Sequence, residues 1–182
     1  MAIGDMVFGR SWALNPARDA DWDALYAEQL PRVYNYFRYR VGSGPVAEDL
    51  TSLTFEKAWT ARQRYRRDLA AFSTWLMTIA RNVATDHWRR RRDHAPLEAA
   101  VHVAGGEDPH DIAEQREAFQ RLAQLLGELP ERDRELVSLK YGAGLTNRAI
   151  AKQLRLTETN VGTLLHRTVQ KLRAGWDQEG AP

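Results

Sequence analysis

An all-α protein made of two small helical domains is what this sequence predicts, and three observations carry that expectation. At 182 residues the chain is long for one small domain and short for two large ones. Apolar residues recur at spacings of three and four in stretches on both sides of its middle. Between them, from Asp93 to about Asp111, Pro96, Gly105, Gly106 and Pro109 interrupt any period, as a linker between domains does. The expected divisions are a poorly ordered arm over 1–20, a first domain over 21–92, an acidic flexible linker over 93–115, a second domain over 116–175 and a tail over 176–182.

Residues 1–20 mix Gly, Pro and isolated large apolar residues without a period. From Asp21 the pattern turns helical, with Trp22, Leu25, Tyr26, Leu30, Val33, Tyr34 and Phe37 on one face, until Val41-Gly42-Ser43-Gly44 breaks it. Ser43 or Gly44 caps the next helix, with Pro45 at its first position, and that helix runs to about Arg62. Phe72, Trp75, Leu76, Ile79, Ala80 and Val83 then form a continuous stripe. Turning about 100° per residue sets Thr78, Asn82, Thr85, Arg89 and Arg92 along the flank beside it. Helicity resumes near Ile112. Leu122, Leu125, Leu126 and Leu129 make a stripe that stops at Pro130, and Arg132 to Tyr141 make a further helix ended by Gly142-Ala143-Gly144.

Composition excludes several classes. No stretch approaches the ~20 apolar residues of a membrane span, and the first residues lack the basic leader and apolar core of a secretory signal, so a cytoplasmic protein with no membrane insertion is expected. With no cysteine there is no disulfide framework and no thiolate zinc site. No phosphate-cradling glycine loop, H-E-x-x-H motif or Ser/His/Asp set points to an enzyme. His94, His102 and His110 recur every eight residues but lack an ordered acid shell, so no metal and no cofactor are expected. The net charge of +2 conceals a segregation: nine arginines between Arg62 and Arg92 face only Asp68 and Asp86, a footprint for polyanions. Residues 93–115 hold Asp93, Glu98, Glu107, Asp108, Asp111 and Glu114 and no Lys or Arg.

The segment LTNRAIAKQLRLTETNVGTLLHRTVQKLR, from Leu145 to Arg173, has the layout of a helix-turn-helix. Thr146 caps its first helix, Ile150, Ala151 and Leu154 face inward, and small Ala151 admits the second helix. Leu156 plugs the turn and Thr157 caps the second helix, whose core side carries Val161, Leu164 or Leu165, Val169 and Leu172. Thr159, Asn160, Thr163, His166, Arg167 and Lys171 stay outward, chemistry suited to base edges and phosphates of a major groove. Arg155 occupies a turn position that wants positive φ and so often carries Gly.

Two further stretches, with this unit, resemble the extracytoplasmic-function group of bacterial sigma factors. AEDLTSLTFEKAW, residues 47–59, is similar to the family's A-E-D-L-x-Q-E-x-F-x-x-A-W helix, with Ser52 and Leu53 where Gln and Glu are usual. FSTWLMTIARNVATDHWRRRR, residues 72–92, resembles its W-L-x-x-I-A-x-N-x-x-x-D-x-x-R-x-x-R helix. The likeness extends over about residues 22–174. It implies a region 2 helical bundle and a region 4 helix-turn-helix, and a factor that takes core RNA polymerase, through its β and β′ subunits, to promoters. It implies contacts to core polymerase from Glu48, Asp49, Leu50, Ser52, Phe55 and Trp59. To the minus-ten element, duplex and single-stranded, it implies contacts from Arg64, Tyr65, Arg66, Arg67, Trp75, Asn82, Asp86, Arg89 and Arg92. To the minus-thirty-five element it implies contacts from Thr146, Arg148, Thr159, Asn160, Thr163, His166, Arg167 and Lys171, with Leu164 standing where the family commonly has Arg. An anti-sigma factor as partner follows by the same likeness.

Independently of the likeness, Arg62-Gln63-Arg64-Tyr65-Arg66-Arg67 mixes cations with an aromatic ring, the combination that holds unpaired strands by stacking and phosphate pairing. Asn82 can donate to and accept from an extruded base, and Asp86 can read an amino group or orient a neighbour. Plainer readings make Trp75 a core residue and Asp86 the partner of an arginine. The acidic linker either imitates nucleic acid in the polymerase cleft or is a solvated tether. The competing functional reading is a conventional helix-turn-helix regulator that binds duplex DNA without polymerase.

Overall fold

A computed structural model describes residues 16–42, 44–66, 69–93 and 109–179, and all their regular structure is helical. In chain order the helices are α1 (Pro16–Val41), α2 (Gly44–Ala61), α3 (Phe72–Asp93), α4 (Pro109–Glu128), α5 (Glu131–Val137), α6 (Asn147–Leu154) and α7 (Glu158–Glu179). A 3-10 turn over Arg62–Arg64 follows α2, and a π-helical turn over Ser138–Gly142 follows α5. Residues 1–15 and 94–108, which hold most of the expected arm and linker and two of the three spaced histidines, lie outside the described residues.

Helix α1 begins at Pro16, inside the expected arm, because proline is tolerated where the helix has no amide bond to lose. Pro31 sits in its interior but on an exposed face, where water can satisfy the carbonyl it leaves free. Val33, Tyr36 and Phe37 of α1 pack with Ala47, Leu50, Phe55 and Ala58 of α2 and with Phe72, Leu76, Met77, Ala80, Val83 and Ala84 of α3. Burying each large apolar side chain there contributes about 1.5–3 kcal/mol. Thr51 and Thr54 also enter this core, and their hydroxyls donate to the carbonyls of Ala47 and Leu50 at 2.6 and 2.7 Å, so neither hydroxyl is stranded.

The second unit winds α4 to α7 around Leu126, Leu129, Leu136, Leu139, Ile150, Val161 and Leu165. Helix α4 starts at Pro109, which the sequence presents as a breaker; here it is the first residue of a helix, so the linker ends sooner than expected. Near its other end the Arg121 guanidinium lies over the Trp176 ring at 4.4 Å and donates to the Trp176 carbonyl.

The single helix expected over 132–141 is α5 continued by the π turn, in which the Ala143 amide reaches back to the Ser138 carbonyl at 2.9 Å. This wider turn sets Gly142 directly on α1. A Cβ on Gly142 would lie 2.9 Å from both the Asn35 carbonyl oxygen and the Tyr36 Cα, a distance only glycine avoids. The two units therefore close on one another, with the Arg38 guanidinium 3.6 Å over the Phe119 ring of α4.

Candidate nucleic-acid interface

Helices α6 and α7 form the helix-turn-helix. Thr146 Oγ1 accepts from the Ala149 amide and Thr157 Oγ1 from the Asn160 amide, each at 3.2 Å, so both caps form as the spacing requires. Between them Arg155 has φ 55° and ψ 45°, the left-handed conformation that lets α7 cross α6. Ile150 and Ala151 are buried, as are Val161 and Leu165, whereas Leu154, Leu156, Leu164, Val169 and Leu172 are half-buried. Thr168, passed over because it is polar, is also buried; its hydroxyl donates to the Leu164 carbonyl at 2.8 Å.

This core leaves one long side of α7 unpacked. Thr159, Asn160, Thr163, His166, Arg167 and Lys171 are all exposed along it. At its foot, Thr146 and Arg148 of the α6 N-terminus are exposed too, with Arg148 Nε 3.6 Å from Glu158 Oε2 across the turn. An ion pair this exposed holds little energy and exchanges readily for a phosphate.

Helix α3 repeats the pattern. Thr78, Asn82, Thr85 and Arg89 are exposed along the flank beside the buried stripe, while the Arg92 and Arg67 side chains lie outside the described residues. Thr78 and Thr85 donate to the carbonyls four residues back and so present methyl groups and oxygen to solvent. Asp86 is tied: Arg89 Nη2 stands 3.2 Å from one carboxylate oxygen and Lys57 Nζ 3.9 Å from the other. It is thus the partner of an arginine.

The loop before α3 departs from expectation at Tyr65. Its ring is not a free stacking platform: it packs 5.1 Å from Trp75 and 5.3 Å from Phe72, and its hydroxyl donates to the Ala70 carbonyl at 3.2 Å. Tyr65 and half-buried Trp75 are struts of an aromatic cluster that shapes the loop. Arg64 and Arg66 extend from that loop, both exposed, and the Arg62 guanidinium folds back over Trp59 at 3.8 Å.

On α2, Glu48, Asp49 and Ser52 are exposed and Trp59 is half-buried. Leu50 and Phe55, expected as contact residues, are each only 6% exposed. The amphipathic period turns them into the core, where they hold the helix in place.

Where the two units meet, polar groups bond from one to the other. Arg81 of α3 donates from Nε to Glu135 Oε1 of α5 at 2.6 Å and from Nη1 to the Gln153 carbonyl of α6 at 3.0 Å. Gln153 Nε2 returns a bond to the Thr74 carbonyl at 2.9 Å, and Lys152 Nζ donates to the Leu69 carbonyl at 3.2 Å. Arg40, 3% exposed, donates to the Glu131 carbonyl. Fully buried Tyr36 lies in this region; desolvation pushes its phenol up to about 12, against the lowering influence of nearby Arg40. Sequence reasoning missed this whole set, because partners 54 to 91 residues apart leave no local period. The Asp86–Arg89 pair, three residues apart on one helix, was readable.

Residues 25–94 match a family model described as Sigma-70 region 2, and residues 113–172 one described as Sigma-70, region 4. The chain is 32% identical over 161 residues to the RNA polymerase sigma factor CarQ of Myxococcus xanthus, covering 86% of this chain and 89% of that protein. It is 31% identical over 160 residues to the ECF RNA polymerase sigma factor BldN of Streptomyces coelicolor, covering 86% of this chain but only 61% of BldN. Among solved structures, the sigma factor RpoE of Bartonella quintana in complex with the anti-sigma factor NepR superposes with a TM-score of 0.69 at 22% identity, over 86% of this chain and 97% of that one. CnrH in complex with the cytosolic domain of CnrY superposes with a TM-score of 0.64 at 23% identity, over 91% of this chain and 92% of the other. These two likenesses concern the fold.

Proposed function

Because the chain belongs to the extracytoplasmic-function sigma factors of bacterial RNA polymerase, we propose that it divides promoter recognition between its two exposed polar flanks while the polymerase supplies the chemistry. A sigma factor is an initiation factor and not an enzyme; it binds core polymerase and directs it to promoters. In this chain Glu48, Asp49 and Ser52, with the edge of Trp59, form the docking face toward the β′ coiled coil. Asn82 takes a base leaving the stack, and Arg89, Arg64 and Arg66 hold the phosphates beside it. On α7, Thr159, Asn160, Thr163 and His166 face base edges of the upstream element, and Arg167 and Lys171 face guanine or phosphate. Capturing unstacked bases shifts the closed-to-open equilibrium by differential binding.

The observation that supports this division is that α3 and α7 each leave one polar flank outside all packing, in a chain that matches both sigma regions. A conventional duplex-binding regulator has no use for the region 2 unit. By likeness to the RpoE neighbour, solved with NepR, an anti-sigma protein is the partner that covers these surfaces when transcription is not required. The site of action is that of the polymerase, the cytoplasm; among the described residues no helix is long and apolar enough to cross a membrane. The test is equilibrium binding of the labelled chain to core polymerase and, separately, to promoter duplex. Tight binding to core with weak binding to duplex alone supports the reading. Tight, sequence-specific duplex binding without affinity for core overturns it in favour of the regulator.

A further inference from the structure

A glycine inside a helix weakens it relative to alanine, because its backbone gives up more freedom on ordering and no side chain packs. Helix α7 carries two glycines, Gly162 and Gly175, and contact accounts for one of them. A Cβ on Gly175 would lie 2.7 Å from Leu125 Cδ2 of α4, so glycine there lets the two helices meet. Gly162 has no such reason. A Cβ on it would meet only the Asn147 Nδ2 of α6, at 3.7 Å, an ordinary van der Waals distance, and its backbone is plainly helical. Packing and conformation would both accept alanine. At about 100° per residue Gly162 stands at the edge of the exposed polar flank, one turn from Thr159 and one from His166. That flank therefore contains a methyl-sized notch floored by bare backbone.

We infer that this notch is a specificity-determining subsite for a thymine of the upstream element, in which Gly162 admits the C5-methyl group and Asn147 donates to the adjacent O4. Of the four bases, thymine alone presents an acceptor beside a methyl group in the major groove. The notch offers the complement of that pair. Asn147 Nδ2, a donor, stands beside the space that a side chain at position 162 would fill. The oxygen of the same amide is shielded and has no hydrogen-bond partner among the described residues, so no bond made through it draws the amide away. Thr163, next along the flank, donates its hydroxyl to the Thr159 carbonyl at 3.1 Å and so leaves its methyl group to the solvent side, where it adds carbon to the wall of the notch. Cytosine lacks the methyl group and would set an amino donor against the Asn147 donor. The inference rests on the reading of α7 as the helix that faces the upstream element, and adds which base it selects and by which residues.

The test selects DNA with a randomised upstream element on core polymerase carrying the full-length chain. Each thymine of the selected duplex is then replaced in turn by uracil, which lacks only the C5-methyl group. One position is expected at which the wild type loses about fourfold in affinity, the worth of one buried methyl group. Gly162→Ala fills the notch, so it binds the thymine duplex about tenfold more weakly and no longer prefers thymine to uracil there. The same variant melts at a higher temperature than the wild type, since alanine favours the helix, and this separates lost recognition from lost folding. Asn147→Ala keeps the preference for the methyl group but discriminates less against cytosine at that position. A selected duplex in which no thymine-to-uracil change matters overturns the inference. So does a Gly162→Ala variant that keeps both its affinity and its preference for thymine. If the chain selects DNA only without core, the sigma-factor reading fails and the same comparisons on that duplex decide the subsite. If it selects no sequence in either form, both are overturned.

Discussion

Arg81 Nε of α3 meets Glu135 Oε1 of α5 at 2.6 Å, a short charge-assisted bond between side chains that are 24% and 19% exposed. It links segments 54 positions apart, in the two units of the molecule. A double-mutant cycle with Arg81→Ala and Glu135→Ala, read by urea unfolding, should give a coupling of about 1–2 kcal/mol. Strict additivity would show that the pair contributes nothing.

Gly142→Ala tests the backbone contact beneath that pair. The added Cβ meets the Asn35 carbonyl oxygen and the Tyr36 Cα, neither of which can rotate away. A loss of about 1–3 kcal/mol in thermal unfolding is expected. A neutral substitution would mean that α1 and the π turn are not packed as described.

Arg155 illustrates how much was legible in the sequence. A helix-turn-helix needs positive φ at that position whatever residue stands there, and Arg155 adopts it. Arg155→Gly should therefore stabilise the protein by about 0.5–1 kcal/mol, the left-handed strain of arginine offset in part by the flexibility of glycine. A lowered melting temperature would contradict this.

The caps at Thr146 and Thr157, the α3 stripe and the exposed flanks of α3 and α7 were legible for the same reason as Arg155, since each depends on residues within a few turns. What escaped depends on distant chain. Met77 and Ala84 are buried because α3 contacts α1, α2 and α6, a wider surface than one stripe covers. Tyr65 packs inward because Phe72 and Trp75 offer it a surface that its basic neighbours in sequence do not suggest. The π turn exists against α1, about a hundred residues away.

Tyr36 supplies a pH test. Its phenol ionises near 10 in the unfolded chain and at about 12 when folded, desolvation being the main cause. Between these values the folded state binds more protons, so its stability falls as pH rises. The contribution is complete below pH 10, is lost towards pH 12 and amounts to about 2–3 kcal/mol. Tyr36→Phe should remove this alkaline loss, because the substituted side chain has no phenol to ionise. An unchanged alkaline profile of stability in denaturant titrations would contradict it.

The central claim is that exposed side chains of one α-helical chain let a separate polymerase start transcription. Run-off transcription with purified core enzyme on a promoter-bearing template tests it most directly, with Asn82→Ala in parallel. The account predicts discrete transcripts that depend on the chain, and about tenfold fewer with Asn82→Ala at equal core binding, the loss of roughly one captured base. No chain-dependent transcript from any genomic template would contradict it.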